Sequence, residues 1–216
     1  MASGRASQQL LDLLADQLGP DSALAVVTAV AQSSRRPDTV DGVLVLLEEL
    51  TDEAPKAAKG AIDALAELQR RDLLADVLSW LDLGVALAAD SGALALRFFK
   101  ESPLLLGLLE PAQRQVVLTA GLELADRQAN VAVEFMRIAP EVIRVLPPED
   151  WPTWLDLACE LAETDFALAV EYIRQIPSIA PVLMPEVVRP WVRFGMKLIV
   201  DNSLGKPDYL GALEFY

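Results

Sequence analysis

Histidine is missing from all 216 residues, and cysteine occurs once, at Cys159. Without histidine the chain has no imidazole general base, no Ser-His or Cys-His nucleophile pair and no imidazole metal ligand. One thiol makes neither an internal disulfide nor a thiolate metal cluster, and it suits a reducing cytoplasm. Positive charge is short as well: 18 Lys and Arg stand against 32 Asp and Glu, for a net charge of −14. Nucleic acid and anionic bilayers are both recognised by clustered Lys and Arg, so neither is expected as a partner. The pairs Arg35-Arg36 and Arg70-Arg71 are too sparse to make such a cluster. Met1 to Asp12 lacks the apolar segment of a signal peptide. The longest uncharged helical run, Ser22 to Ser34, is too short and too polar to span a bilayer.

Motifs of cofactor chemistry are missing too. Gly205-Lys206 is followed by Pro207 and lacks the leading glycine of a phosphate loop, and no GxGxxG, HExxH, GxSxG or calcium-loop pattern occurs. Asp201-Asn202-Ser203-Leu204-Gly205 shares the first Asp and Ser of a metal-ion-dependent adhesion site, but its fifth residue is glycine. An ordinary exposed loop is the better reading there. No cofactor is expected, and no metal.

What the chain does have is repetition. Trp80, Val117, Trp154 and Trp191 open four segments spaced 37 residues apart. Four residues past each opener stands a small residue, Gly84, Gly121, Ala158 and Gly195, and seven past it stands Leu87, Leu124, Leu161 and Leu198. Ala95, Ala132 and Ala169 follow, then an aromatic at Phe98, Phe135 and Tyr172. Prolines recur at Pro103, Pro140 and Pro177, leucines at Leu109, Leu146 and Leu183, and second prolines at Pro111, Pro148 and Pro185. Apolar steps of three and four, as in Trp80, Leu83 and Leu87, keep one face of a helix apolar, whereas strand-like alternation is nearly absent. A period of this length marks an array of stacked supersecondary units, because one unit alone cannot bury its apolar face.

The expected fold is therefore all-α: an α-solenoid of about 37-residue helical repeats with an N-terminal helical cap. Residues 1–42 form the cap, and residues 43–216 the array: a degenerate copy at 43–79, copies at 80–116, 117–153 and 154–190, and an incomplete one at 191–216. Upstream, Gln8–Leu18, Ser22–Gln32, Val40–Leu50 and Ala57–Leu68 also read as amphipathic helices. Within a copy, breaks are expected near Asp90-Ser91, Asp126 to Gln128 and Thr164-Asp165, where short polar residues can cap the next helix. The first prolines are expected to open a short third helix, since proline is tolerated in a first turn and disruptive inside.

Candidate contact residues are few. Pro147 to Trp154 places two indoles and two carboxylates beside a helix start. Trp154 holds a core position, whereas Trp151, if exposed, would be a contact anchor, flanked by Glu149 and Asp150. Those two carboxylates also suit the helix N-terminus. Glu134 and Glu171 share one repeat position, each with an arginine three residues on, Arg137 and Arg174. They read as ion pairs on a solvated face, or as an acidic strip for a basic partner.

The phrase Trp-(x)3-Gly-(x)2-Leu-Ala, then Ala-(x)2-Phe/Tyr, then a proline and a leucine-rich turn, running from Trp80 to Pro185, resembles the helical repeat region of some bacterial von Willebrand factor A-domain proteins. Those proteins are partnered with MoxR-type AAA+ ATPases of the nitric-oxide-reductase-activation and Rubisco-activation type. The resemblance covers about residues 43–216. It implies an adaptor whose helices hold a client or the ATPase while a separate domain binds metal. This chain carries no recognisable von Willebrand domain and stops at Tyr216 inside an unfinished copy, so it reads as a piece of a longer polypeptide or a relative with the scaffold only. No functional residue is carried over. The expected function is a non-catalytic scaffold or adaptor that binds protein. Two alternatives are a carrier of an apolar ligand, which requires a cavity of a few hundred Å³ between helices, and a histidine-free enzyme, which requires carboxylates converging in a deep pocket.

Overall fold

The computed structural model describes residues 2–33, 38–182 and 190, and every regular element among them is helical. The α-helices are α1 (Ala2–Leu18), α2 (Pro20–Ser33), α3 (Thr39–Glu53), α4 (Pro55–Arg70), α5 (Val77–Asp90), α6 (Gly92–Leu106), α7 (Pro111–Val145), α8 (Trp151–Thr164) and α9 (Phe166–Ile179), with single 3-10 turns at Leu74–Asp76 and Pro148–Asp150. Trp191, Gly195, Leu198, Leu183, Pro185, Arg35, Arg36 and the 201–208 segment lie outside the described residues. The chain divides into two compact units, residues 1–137 and 138–216.

One backbone feature recurs at the step read from the sequence. Ala54, Ser91, Gln128 and Asp165 are 37 residues apart, and all leave the helical region, with φ/ψ of −143/73, −159/118, −154/87 and −152/102. Each is the single residue between two helices, and Gln128 divides α7 into two helices at this place. At three of these corners the corner residue's N–H donates to the leucine carbonyl four residues back (Leu50, Leu87, Leu161), and its own carbonyl accepts from the alanine four residues on (Ala58, Ala95, Ala169). The corner thus satisfies orphan groups of both helices without a loop. It also explains why leucine and alanine bracket it: both side chains are buried at all four of these corners, with Leu87, Ala95, Leu161 and Ala169 fully so.

Capping chemistry is secondary at these corners. Asp165 Oδ1 accepts from the N–H groups of Ala167 and Leu168, at 3.0 and 3.3 Å, whereas Ser91 makes no side-chain cap bond. Replacing Asp165 by alanine should therefore cost about 1 kcal/mol in urea unfolding, and Ser91→Ala should leave the midpoint unchanged.

In the first unit, α1 packs on α2, α3 on α4 and α5 on α6, and each hairpin lies on the next through α1 on α3, α2 on α4, α3 on α5 and α4 on α6. Close approach is made by glycine. A Cβ on Gly42 would meet Leu78, one on Gly60 would meet Leu96, and one on Gly92 would meet Ala54 of the preceding corner at 3.1 Å. In the second unit, α8 packs on α9 and the Pro148–Asp150 turn packs on α8.

The openers Trp80, Val117 and Trp154 are all buried, and so are the aromatic positions Phe98, Phe135 and Tyr172. Equivalent pairs repeat: the rings of Trp80 and Phe98 are centred 6.2 Å apart, those of Trp154 and Tyr172 6.4 Å. The small position makes room for facing side chains. Gly84 faces the ring of Phe99, and Gly121, 37 residues later, faces Leu83 of α5 and Met136, which is 37 residues after Phe99.

The first prolines correct the sequence expectation. Pro103, Pro140 and Pro177 lie inside α6, α7 and α9 and open no third helix. Each falls within the last two turns of its helix, where it removes one N–H donor from the ladder close to the helix end. Pro111, by contrast, opens α7, and Pro148 opens the 3-10 turn that runs into α8.

Candidate functional site

The candidate residues near the α8 start separate on burial. Trp151 is 2% exposed, and its indole Nε1 donates to the Leu146 carbonyl at 3.0 Å. The exposure that a contact anchor at Trp151 requires is therefore not met: the indole turns inward, where its N–H finds an acceptor in the turn just before the helix. Glu149 and Asp150 remain exposed in the Pro148–Asp150 turn. Cys159 is buried.

Glu134 is a second correction. Its side chain is buried rather than placed on a solvated face. It does pair with Arg137, at 3.4 Å, but its shorter partner is Arg97 of α6, at 2.7 Å. Arg137 Nε meets Glu101 at 3.0 Å, and Arg97 Nε meets the other Glu101 oxygen at 3.5 Å, which closes a ring of four alternating charges. Burial opposes the charge on Arg97, but the Glu134 and Glu101 carboxylates outweigh it and raise its pKa. Glu134 follows Arg97 by 37 residues, the step of the sequence repeat. Glu171, one step further on, is exposed and accepts from Gln175 Nε2 at 3.2 Å.

Two features of the buried layer were not read from the sequence. Trp80 Nε1 donates to Ser102 Oγ at 2.7 Å in the core. Trp154, the equivalent indole, has a buried Nε1 with no hydrogen-bond partner, because the residue in the place of Ser102 is Ile176 (102 + 74). The signal available was a lone serine in a register otherwise held by Ala139 and Ile176. Removing the acceptor with Ser102→Ala should cost about 1–2 kcal/mol, measured as a shifted urea midpoint with an unchanged slope.

Asp76 is a half-buried carboxylate in the first unit. Its Oδ2 has no hydrogen-bond partner and stands 4.0 Å from Arg114, too far for a bond. Burial raises its pKa, and Arg114 offsets this only in part.

Two open grooves lie in the first unit. One, of about 370 Å³, runs between α4 and α6 over Gly60, Phe99, Pro103 and Leu104. Its carboxylates, Asp63 and Glu67, are engaged: Gln17 donates to Asp63 at 2.6 Å, and Arg70 and Arg71 pair with Glu67. Lys100 and Arg71 complete its rim. The other, of about 500 Å³, lies beside the Gln128 corner, with Asp90, Asp126 and Arg127 among alanines. Among the described residues no three Cys, Asp or Glu side chains gather in a way that could hold a metal ion. Among the same residues no helix is long and apolar enough to cross a membrane.

The chain matches no family model, no curated protein and no solved structure.

Proposed function

We propose that this chain is a non-catalytic α-helical repeat scaffold of about 37-residue copies, an adaptor that binds a protein partner in a reducing cytoplasm. The observation that carries the reading is the recurrence of one non-helical corner residue at Ala54, Ser91, Gln128 and Asp165. A chain built of equivalent, neighbour-dependent layers presents the extended surface that repeat proteins use for binding. The two grooves described in the first unit are open to solvent and rimmed by charged side chains, which suits a surface facing another protein.

The resemblance noted above makes a MoxR-type AAA+ ATPase, or its client, the partner to try first. The full chain should co-elute with such an ATPase from the same genome in size-exclusion chromatography with light scattering. No complex with the ATPase, together with no protein retained by the cross-linked full chain, would overturn the adaptor reading.

A further inference from the structure

The α4–α6 groove is open where the next pair of layers is filled. Gly60, Ala64 and Lys100 stand 37 residues before Arg97, Glu101 and Arg137, three of the four members of the charged ring between α6 and α7. The fourth member, Glu134, stands 37 residues after Arg97. Between α4 and α6 the four places of the ring are therefore held by Gly60, Ala64, Arg97 and Lys100. A hydrogen atom and a methyl group stand where a guanidinium and a carboxylate fill the following layer, and no carboxylate remains. The space left over Phe99 and Pro103 is the groove of about 370 Å³.

The change strands one cation. Arg137 pairs with both Glu101 and Glu134, whereas Lys100 is exposed and has no ion pair or hydrogen bond among the described residues. The other charges of the groove have polar partners. Asp63 accepts from Gln17 at 2.6 Å, and Glu67 is shared by Arg70 and Arg71. Arg97 is held by Glu101 and Glu134. Lys100 is thus the lining charge left over, and it stands four residues before Leu104, which is 59% exposed and borders the same groove. An unsatisfied cation beside an apolar concavity suits a carboxylate carried next to an apolar side chain. Asp63 and Glu67 limit that to one carboxylate and not a run of them.

We propose that the α4–α6 groove takes a helical segment of a partner protein in which one carboxylate is flanked by leucine or aromatic side chains. The carboxylate gives Lys100 the counterion that Glu101 and Glu134 give Arg137, and the apolar side chains lie over Ala64 and Phe99 against Leu104. From Gly60 to Arg71 the α4 wall is about 16 Å long, which matches about three turns of helix. A polyanion such as nucleic acid, with a charge on every unit, would also meet Asp63 and Glu67. A second copy of this chain is a poorer occupant, since it brings its whole charge of −14 with it. This inference rests on the scaffold reading and names the chemistry of its partner.

The test uses the full chain and a fluorescein-labelled alanine–glutamine helix bearing leucines around one glutamate, followed by anisotropy. Lys100→Glu is compared with Lys56→Glu, which makes the same charge change on an exposed residue of α4 outside the groove. The first should weaken binding at least about tenfold and the second less than about twofold, because only the first sets like charges together. Ala64→Glu installs the residue of the next copy, so it should pair with Lys100, fill the groove and abolish binding without loss of circular dichroism. Should Ala64→Glu unfold, Lys100→Glu and Leu104→Ser decide, since both change exposed side chains. Equal binding by Lys100→Glu and Lys56→Glu, equal binding of a peptide with lysine in place of the glutamate, or no binding by the unaltered chain would overturn the proposal. Self-association of the unaltered chain that Lys100→Glu abolishes would also overturn it, by giving the groove to a second copy. If any of these results came while the full chain still formed its complex with the ATPase, this groove would fall and the adaptor reading would stand.

Discussion

Gly84→Ala should lower the stability of the chain by about 3 kcal/mol, at the upper end of ordinary overpacking effects. A Cβ there would lie 1.9 Å from Phe99 Cζ, with two more ring atoms inside 3.0 Å. The ring cannot slide away, because it also packs edge-on against Trp80 at 4.8 Å and against Phe98 at 5.4 Å. Gly121→Ala at the equivalent position should be close to neutral. Its Cβ would meet only the ends of Leu83 and Met136, at 2.9 and 3.0 Å, and both side chains are flexible. The helix propensity gained, about 1 kcal/mol, offsets that adjustment. The third copy shows the remedy, since Ala158 is there matched by Ile173, 19 residues past the same opener as Phe99 is past Trp80. Phe99→Ile added to Gly84→Ala should recover most of the loss in urea unfolding. Equal effects at Gly84 and Gly121 would mean that the small position does not serve the facing side chain.

Glu134→Ala should cost about 2 kcal/mol, and Glu171→Ala less than about 0.5 kcal/mol, although the two glutamates share a repeat position. Glu134 is buried between Arg97 and Arg137, so its loss leaves two guanidiniums facing each other around Glu101. The effect stays below that of a fully buried pair because the two arginine side chains are 37% and 41% exposed and water screens them. Glu134→Gln should recover about half by keeping an acceptor for Arg97. Urea midpoints for the three variants, taken at one salt concentration, check the ordering.

The helical registers were legible because the apolar steps of three and four are local, and so were the breaks at Ser91, Gln128 and Asp165, each bracketed by Leu and Ala. What each side chain faces was less legible. The position of Glu134 marks one face of its helix, but only the neighbouring layer decides whether that face is wet. Here Arg97 of α6 covers it. Trp151 failed for a similar reason: its indole reaches back to the Leu146 carbonyl, a contact that depends on the turn at Pro147 and Pro148 rather than on helical spacing. The prolines at 103, 140 and 177 misled because each was read as opening a helix, whereas all three lie in the last two turns of one, where the helix continues past the lost donor.

Deleting one whole copy, residues 80–116, tests the central claim that layers at a 37-residue step are interchangeable neighbours. Joining Ser79 to Val117 keeps the register, so the shortened chain should retain its helical signal per residue and unfold cooperatively, with a lower midpoint. A deletion of about 30 residues from the same place breaks the register and should give a chain without a cooperative transition. Loss of folding in the 37-residue deletion, or equal folding in both, would contradict the account.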